Sequence, residues 1–213
     1  MIRFPVPSGT TPRALVTEIL PREHATLVPK GAGRARVFVA LGDERFSLSA
    51  DGARLSVEEA GGRGGEGHDL AVRTDSATVG RFLEDWSGPR KYAPTFEARE
   101  GVQILTDARV IRRLAMATGS LELAIDDFEG GRAALTVAAG ARVVGQDGRA
   151  PDAVVSMSTA TFERLLGGTL PPDEALTARH VAVRGKMLVA MQFALALAPF
   201  FPHQAAPLRS GSR

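Results

Sequence analysis

The most constraining feature of this chain is an apolar run close to its carboxyl-terminal end. From Met187 to Phe201 every residue is apolar except Gln192. The run is shorter than the ~20 residues that a helix needs to cross the hydrocarbon core of a bilayer. A helix that is apolar all round must be buried on all sides or be covered by something else. We therefore expect this run to be a core helix of a globular domain.

Composition narrows the classes of function. The 213 residues are 44% apolar and 23% charged, which are ordinary values for a globular protein. The chain contains no cysteine, so disulfide frameworks, thiolate nucleophiles and iron–sulfur clusters are excluded. The histidines His24, His68, His180 and His203 are far apart in the sequence, and none belongs to a His-Glu-x-x-His pair. We predict no metal site and no cofactor.

The charge pattern argues against nucleic-acid binding. Lys and Arg number 26 against 24 Asp and Glu, a net charge of +2, and the basic residues are scattered. One Trp and one Tyr leave no aromatic series interleaved with basic residues. No apolar segment of signal-peptide type follows Arg3. We expect a cytoplasmic protein, monomeric or homodimeric, with no stable membrane insertion and at most transient membrane contact.

Two segments of the chain, residues 69–83 and 152–166, align without a gap. The identical pairs are Asp69/Asp152, Val72/Val155, Ala77/Ala160, Thr78/Thr161, Arg81/Arg164 and Leu83/Leu166. Each segment reads as a strand followed by a helix, and each comes after a helix and several turn-rich strands. Chance identity is the alternative, because Asp, Ser and Thr are common helix caps. The repeated order of elements favours two copies of one α+β unit.

The second copy and its extension contain apolar residues, glycines and a proline at fixed spacings. The pattern is Met157-Ser-x-x-x-Phe162-x-x-Leu165-x-x-Gly168-x-Leu170-x-Pro172-x-x-Ala175, then Val181-x-Val183-x-Gly185-x-Met187-x-x-Ala190. Over residues 105–200 this spacing resembles the sterol carrier protein 2 family. The resemblance implies a five-stranded, mostly antiparallel sheet with helices packed on one face. It also implies an apolar tunnel between sheet and helices for fatty acids, acyl-CoAs, sterols or phospholipids.

The repeat and the resemblance together divide the chain and predict two sterol-carrier-like units. The division is 1–90 as a degenerate copy, 91–104 as a linker, 105–200 as the lipid-binding domain and 201–213 as a tail. The chain departs from the family after the last strand. Many members have Gly-Asp there and then a lysine in the helix, whereas this chain has Gly185-Lys186 and then Gln192. The polar residues that contact ligands in the family therefore cannot be assigned directly to positions in this chain.

The tunnel is expected beneath the last helix. Ala190 and Ala194 leave volume between larger side chains, and methionines adapt to ligands of varied shape. The competing interpretation is that Met187–Phe201 is only the core helix between two packed repeats. The predicted ligand-binding residues are Leu123, Ile125, Leu135, Val137, Phe162, Leu165, Leu166, Leu170, Leu176, Met187, Ala190, Met191, Ala194 and Leu195.

Two functions from different classes remain open. The first is a noncatalytic lipid carrier or presenting protein for a fatty acyl chain, sterol, isoprenoid or polyketide. The second is a cofactor-free biosynthetic cyclase or isomerase that folds its substrate in the same cavity, with His180 or Asp127 as acid or base. No triad or nucleotide motif is recognisable, so we favour the first. A weaker third hypothesis has the last helix docking on a partner protein.

Overall fold

The strands form one sheet, and the helices lie over one of its faces. The computed structural model describes residues 7–27, 33–52, 54–61, 67–87, 107–128, 131–139, 149–166 and 168–197. The strands are β1 Arg34–Leu41, β2 Glu44–Asp51, β3 Arg54–Glu59, β4 Leu70–Thr74, β5 Gly119–Ile125, β6 Ala133–Ala139, β7 Ala153–Met157 and β8 Val181–Gly185. The helices are α1 Pro12–Ala14, α2 Leu20–Leu27, α3 Ser76–Ser87, α4 Ala108–Ala115, α5 Thr159–Leu166, α6 Pro172–Thr177 and α7 Met187–Leu197.

The sheet is mixed, with eight strands in the order β3-β2-β1-β4-β6-β5-β7-β8. Alternate strand residues face the helices, so Val37 and Val39 of β1 are buried in one core with Ile111 of α4 and Phe193 of α7. On the opposite face Arg36 is exposed, whereas Phe38 is 1% exposed and packs with Ala71 and Ala138 in a separate small cluster. The predicted α+β class is confirmed, with one mixed sheet in place of a separate sheet for each half.

The amino-terminal helix continues through Pro21, although a proline inside a helix usually ends or kinks it. A π-helical turn at Leu15–Ile19 joins α1 to α2, and the chain stays helical through Pro21. Proline has no N–H, so in a regular α-helix it leaves the carbonyl four residues earlier without its partner. The wider turn changes the pairing just before the proline, with the Leu20 N–H donating to the Leu15 carbonyl.

The strands of the two halves pair in the same way. β1 is antiparallel to β2 and parallel to β4, while β5 is antiparallel to β6 and parallel to β7. Side chains at aligned positions also match, since Asp69 accepts the Arg36 N–H at 2.8 Å and Asp152 accepts the Ser120 N–H at 3.1 Å. The segments that align in sequence thus occupy corresponding places in the two halves.

The halves are joined through the middle of the sheet rather than lying apart. β4 and β6 pair antiparallel, and Arg112 of α4 donates to the Arg34 carbonyl at 3.0 Å. The predicted linker 91–104 and tail 201–213 lie outside the described residues. The domain boundaries that they define stay a prediction. None of the described helices is both long and apolar enough to cross a membrane.

Candidate functional site

Helix α7 covers the last strands of the sheet with one face only. It packs on β5, β7 and β8 and contacts α4. Val189, Ala190, Phe193 and Ala196 are buried on the face towards the sheet. Leu195 on the outer face is 68% exposed. The described part of the apolar run, Met187–Leu197, is therefore helical as predicted, but the described part of the protein does not bury it on all sides.

A cavity of about 170 Å³ lies between α7 and the sheet. Its floor consists of alternate, inward-facing residues of three neighbouring strands. Its roof and sides come from α5, α6 and α7. The lining residues are Leu121, Leu123, Val155, Met157, Leu165, Ala175, Leu176, Val181, Val183, Met187, Ala190, Met191 and Ala194. Every one of these side chains is apolar, so the cavity suits hydrocarbon and offers a charged group no partner.

The cavity exists because α7 has small residues where it faces the sheet. Helix α4 lies on the parallel pair β1 and β4 as α7 lies on the parallel pair β5 and β7. Beneath α4 the space is filled by Ile111 and Leu114, which are 0% and 2% exposed. Beneath α7, Ala190 and Ala194 line the cavity instead. The space between helix and sheet is thus filled beneath α4 and hollow beneath α7.

The size of the cavity limits what fits inside it. A closed cavity of about 150 Å³ holds one benzene-sized molecule, and pockets for larger ligands need roughly 300 Å³ or more. At about 170 Å³ this space holds one end of a long molecule. Leu176, Met187 and Met191 line the cavity and are also exposed, so they form its mouth. A longer ligand has apolar surface to follow as it leaves the cavity.

The polar residues at the start of α7 serve the fold. The Lys186 ammonium pairs with Asp152 at 3.0 Å, and the Lys186 N–H donates to the Asp152 carbonyl at 2.8 Å. Gln192 accepts the Thr118 N–H at 3.2 Å and so anchors α7 to the turn before β5. Gly185 has a φ of +82°, and a Cβ there would meet the Asp152 carbonyl oxygen at 2.4 Å. The residues that depart from the family pattern fix the position of α7.

The structure brings together half of the residues predicted to bind a ligand. Those lining the cavity are Leu123, Leu165, Leu176, Met187, Ala190, Met191 and Ala194. Ile125 and Phe162 instead belong to a separate cluster around Phe128. Leu135 and Val137 pack against the main core, Leu170 is buried elsewhere and Leu195 is exposed. The side chain of Leu166 lies outside what the structure describes.

Sequence reasoning missed several residues of the floor. Leu121 shares a face with Leu123 because side chains alternate along a strand, so the period of β5 could have identified it. Val155 and Met157 follow from the same period in β7. Val181 and Val183 belong to the Val181-x-Val183-x-Gly185 spacing of the sequence analysis. Ala175 lines the cavity only because of the path that α6 takes over the sheet, which the sequence alone does not give.

Neither proposed acid or base lies in the cavity wall. Asp127 accepts the Thr159 N–H and, at 3.0 Å, the Thr159 hydroxyl. These bonds, with the Thr159 N–H the strongest cause, lower the pKa of Asp127 below its ordinary value. His180 is exposed, and its backbone N–H donates to the Ala175 carbonyl at 2.9 Å. Within the described ranges no three His, Asp or Glu side chains are grouped so as to hold a metal ion.

Comparison with known proteins gives a family for the half of the chain that contains the cavity. Residues 104–198 match the model of the SCP-2 sterol transfer family, and the match does not include the amino-terminal half. No curated protein matches the chain at a significant level.

Two solved structures are similar to part of the chain. The solution structure of sterol carrier protein domain 2 of Helicoverpa armigera is 16% identical, covering 42% of this chain and 73% of that one, with a TM-score of 0.33. Sterol Carrier Protein 2 Like 2 from Aedes aegypti is 19% identical, covering 41% of this chain and 90% of that one, with a TM-score of 0.29. On the strength of the family match, residues 104–198 of this chain are a domain of the SCP-2 sterol transfer family.

Proposed function

We propose that this protein binds one elongated apolar molecule beneath α7 and acts as a lipid carrier or presenting protein. The candidate ligands are fatty acyl chains, sterols, isoprenoids and polyketides. The observation that carries the proposal is a hollow of about 170 Å³ with entirely apolar walls, located in the half of the chain that matches a sterol transfer family. A cavity of this kind recognises hydrocarbon by shape and desolvation.

Burial of hydrocarbon is sufficient to hold such a ligand. Each methylene moved from water into an apolar site contributes about 0.8 kcal/mol. The cavity has room for about six carbons, by comparison with cavities that hold one benzene. Their burial is worth about 5 kcal/mol before the cost of immobilising the ligand. Contact of the remaining chain with Leu176, Met187 and Met191 adds to this, so longer ligands bind more tightly.

The amino-terminal half is best explained as a second copy of the same unit that no longer binds. The support is the shared pairing of its strands and the matching roles of Asp69 and Asp152. Over the strands β1 and β4 of the amino-terminal half, the corresponding space is filled by Ile111 and Leu114 of α4, a helix that lies within the matched residues 104–198. This account gives one ligand per chain, with the amino-terminal half extending the sheet.

The enzymatic alternative has less support. A cyclase or isomerase needs an acid or base within hydrogen-bond reach of its substrate. The residues lining the cavity include no titratable side chain, and Asp127 is already engaged with Thr159. A carrier needs no such group.

Native mass spectrometry of gently purified protein tests the proposed function. We expect a fraction of the molecules to carry a single lipid-sized adduct that is lost on denaturation. Protein stripped of adducts should then take up one equivalent of a fluorescent fatty acid. Protein that is empty when isolated and takes up no fluorescent fatty acid would contradict the proposal.

A further inference from the structure

Strand β8 is at the end of the sheet and pairs with β7 on one side. An edge strand presents N–H and C=O groups to any other extended chain, and proteins usually block such edges with charged side chains, prolines or bulges. β3, the strand at the opposite end, has Arg54, Glu58 and Glu59 exposed. In β8 the one charged side chain is Arg184. The edge of β8 is therefore poorly protected against a further strand.

The unpaired backbone groups of β8 belong to alternate residues. Residue pairs along an antiparallel ladder alternate between hydrogen-bonded and non-hydrogen-bonded. The Lys186 N–H donates to a carbonyl just before β7, so the backbone groups of Ala182 and Arg184 also point towards β7. Those of Val181 and Val183 point away from the sheet. In the part of the chain that the structure describes, they have no backbone partner.

A second copy of β8 fits this edge in an antiparallel register. A two-fold axis through Val183 joins the outward N–H and C=O of Val183 to the same groups of the second copy. On the helix side of the sheet the two Val183 side chains then meet, and sheets favour β-branched pairs. On the other side Arg184 lies opposite Ala182 of the second copy, so no like charges meet within the strand pair. The edge is thus complementary to itself.

Exposed apolar side chains lie close to this edge. Leu176 of α6 and Met187, the second residue after β8, are 42% and 45% exposed. Both α6 and α7 contact β8. The two-fold axis is perpendicular to the sheet, so it brings the Leu176 and Met187 of both copies to the same side of the joined strands. Apolar burial beside the strand pair adds to its backbone hydrogen bonds.

We propose that this protein forms a homodimer in which the β8 strands of two copies pair antiparallel about Val183 and join two eight-stranded sheets into one. The occupant of the edge is a second copy because β8 offers its own copy complementary backbone groups, a matched apolar side chain and no opposed like charges. The dimer places both cavities on the same side of the joined sheet. The pairing uses backbone groups and needs no bound ligand, so the proposal stands apart from the proposed function.

Ala182 tests the register, because its side chain is exposed and does not line the cavity. Ala182→Lys brings an ammonium group opposite Arg184 of the second copy, and the two-fold axis makes this contact twice. The dissociation constant of the dimer should rise by about tenfold or more at low salt. Ala182→Glu brings opposite charges together and should leave the dimer at least as stable as the wild type. The double variant Ala182→Lys/Arg184→Glu should restore it.

The experiment is sedimentation velocity of the full chain at micromolar concentrations, with hydrogen exchange of the backbone amides. We expect a wild-type dimer whose Val183 N–H exchanges slowly, and a monomeric Ala182→Lys variant in which that N–H exchanges fast. The matched control is Glu58→Lys in β3, at the opposite end of the sheet, which should dimerise as the wild type does.

Three results would overturn the dimer proposal. The first is a wild type that stays monomeric, including one that instead captures a peptide with the sequence of residues 180–186. The second is a dimer on which Ala182→Lys and Ala182→Glu act alike. The third is a dimer that Leu188→Gln/Leu195→Gln dissolves and Ala182→Lys does not, which would place the interface on α7. Uptake of a fluorescent fatty acid tests the proposed function separately, since monomeric Ala182→Lys should retain it.

Discussion

The Lys186 ammonium lies 3.0 Å from a carboxylate oxygen of Asp152, and this pair ties the residue before α7 to the residue before β7. The other carboxylate oxygen of Asp152 accepts the Ser120 N–H at 3.1 Å, at the start of β5. One aspartate thereby holds α7, β5 and β7 in the arrangement that encloses the cavity. The sequence could not reveal this because the three residues are brought together only by the strand order.

Replacing Asp152 tests its role in that arrangement. Asp152→Ala leaves the Ser120 N–H and hydroxyl and the Lys186 ammonium without this acceptor. The loss should lower the free energy of unfolding by about 2–3 kcal/mol, because unsatisfied polar groups are costly. Lys186→Met should cost less than about 1 kcal/mol, because the lysine side chain is 66% exposed. Urea unfolding compares the two variants, and equal losses would contradict the assigned role.

Filling the cavity should weaken ligand binding without unfolding the protein. Ala190 is buried, lines the cavity and faces unoccupied volume, so Ala190→Leu inserts three carbons into the space that the ligand would use. We expect the affinity for a fluorescent fatty acid to fall at least tenfold, with a melting temperature equal to or above that of the wild type. Ala178→Leu, at an exposed position outside the cavity, is the control. Unchanged affinity in Ala190→Leu would place the ligand elsewhere.

Burial of His24 predicts a loss of stability in mild acid. His24 is fully buried, its Nε2 is 3.0 Å from the Gly52 carbonyl and its Nδ1 has no partner in the described part of the chain. Burial lowers its pKa below the ordinary value, although the Gly52 carbonyl and Asp107 act in the opposite direction. The unfolded chain therefore takes up the proton more readily. Stability is complete above a pH of about 6.5 and declines as the pH falls below it.

The variant His24→Gln isolates this contribution. Its side-chain amide keeps a donor for the Gly52 carbonyl and does not titrate. Urea midpoints measured between pH of about 7.5 and 5 should fall less in the variant than in the wild type. An equal fall in both would show that other groups carry the acid sensitivity. Asp75, Asp107 and Asp127 have lowered pKa values, so their contributions are lost only in stronger acid.

Arg179 adopts a backbone conformation that glycine adopts more easily. Its φ is 58°, directly after α6, where its N–H donates to the Leu176 carbonyl at 3.2 Å. The left-handed conformation costs a residue with a Cβ about 1 kcal/mol. We expect Arg179→Gly to leave the melting temperature unchanged or raise it by a few degrees.

Gly185→Ala is the matched comparison for that substitution. It also lies at positive φ, but its Cβ would meet the Asp152 carbonyl oxygen at 2.4 Å. We expect a clear fall in melting temperature, and thermal unfolding of both variants checks the pair. A destabilised Arg179→Gly would show that the arginine side chain makes a stabilising contribution larger than the backbone strain.

The sequence predicted the parts of the site that depend on local pattern. The apolar run and the Val181-x-Val183 alternation identified a helix and a strand that do enclose the cavity. Which other strands lie beneath the helix depends on the sheet order. Leu135 and Val137 were expected in the site, yet they pack into the main core.

Two further features depend on non-local geometry. Helix α7 has alanines where it faces the sheet, whereas helix α4 has Ile111 there. The local pattern of the sequence does not reveal which pair of strands each helix covers. The π-helical turn before Pro21 also cannot be read from the local sequence, since it depends on how the backbone hydrogen bonds rearrange next to a residue that has no N–H. Local propensity gives neither result.

The most direct test of the central claim is anomalous diffraction from crystals of the protein with a fatty acid brominated at its methyl end. The account predicts a bromine peak beneath α7, between Ala190 and Val155, at one site per chain. A bromine peak elsewhere, or crystals of the complex in which side chains close the space under α7 with no bromine, would contradict it.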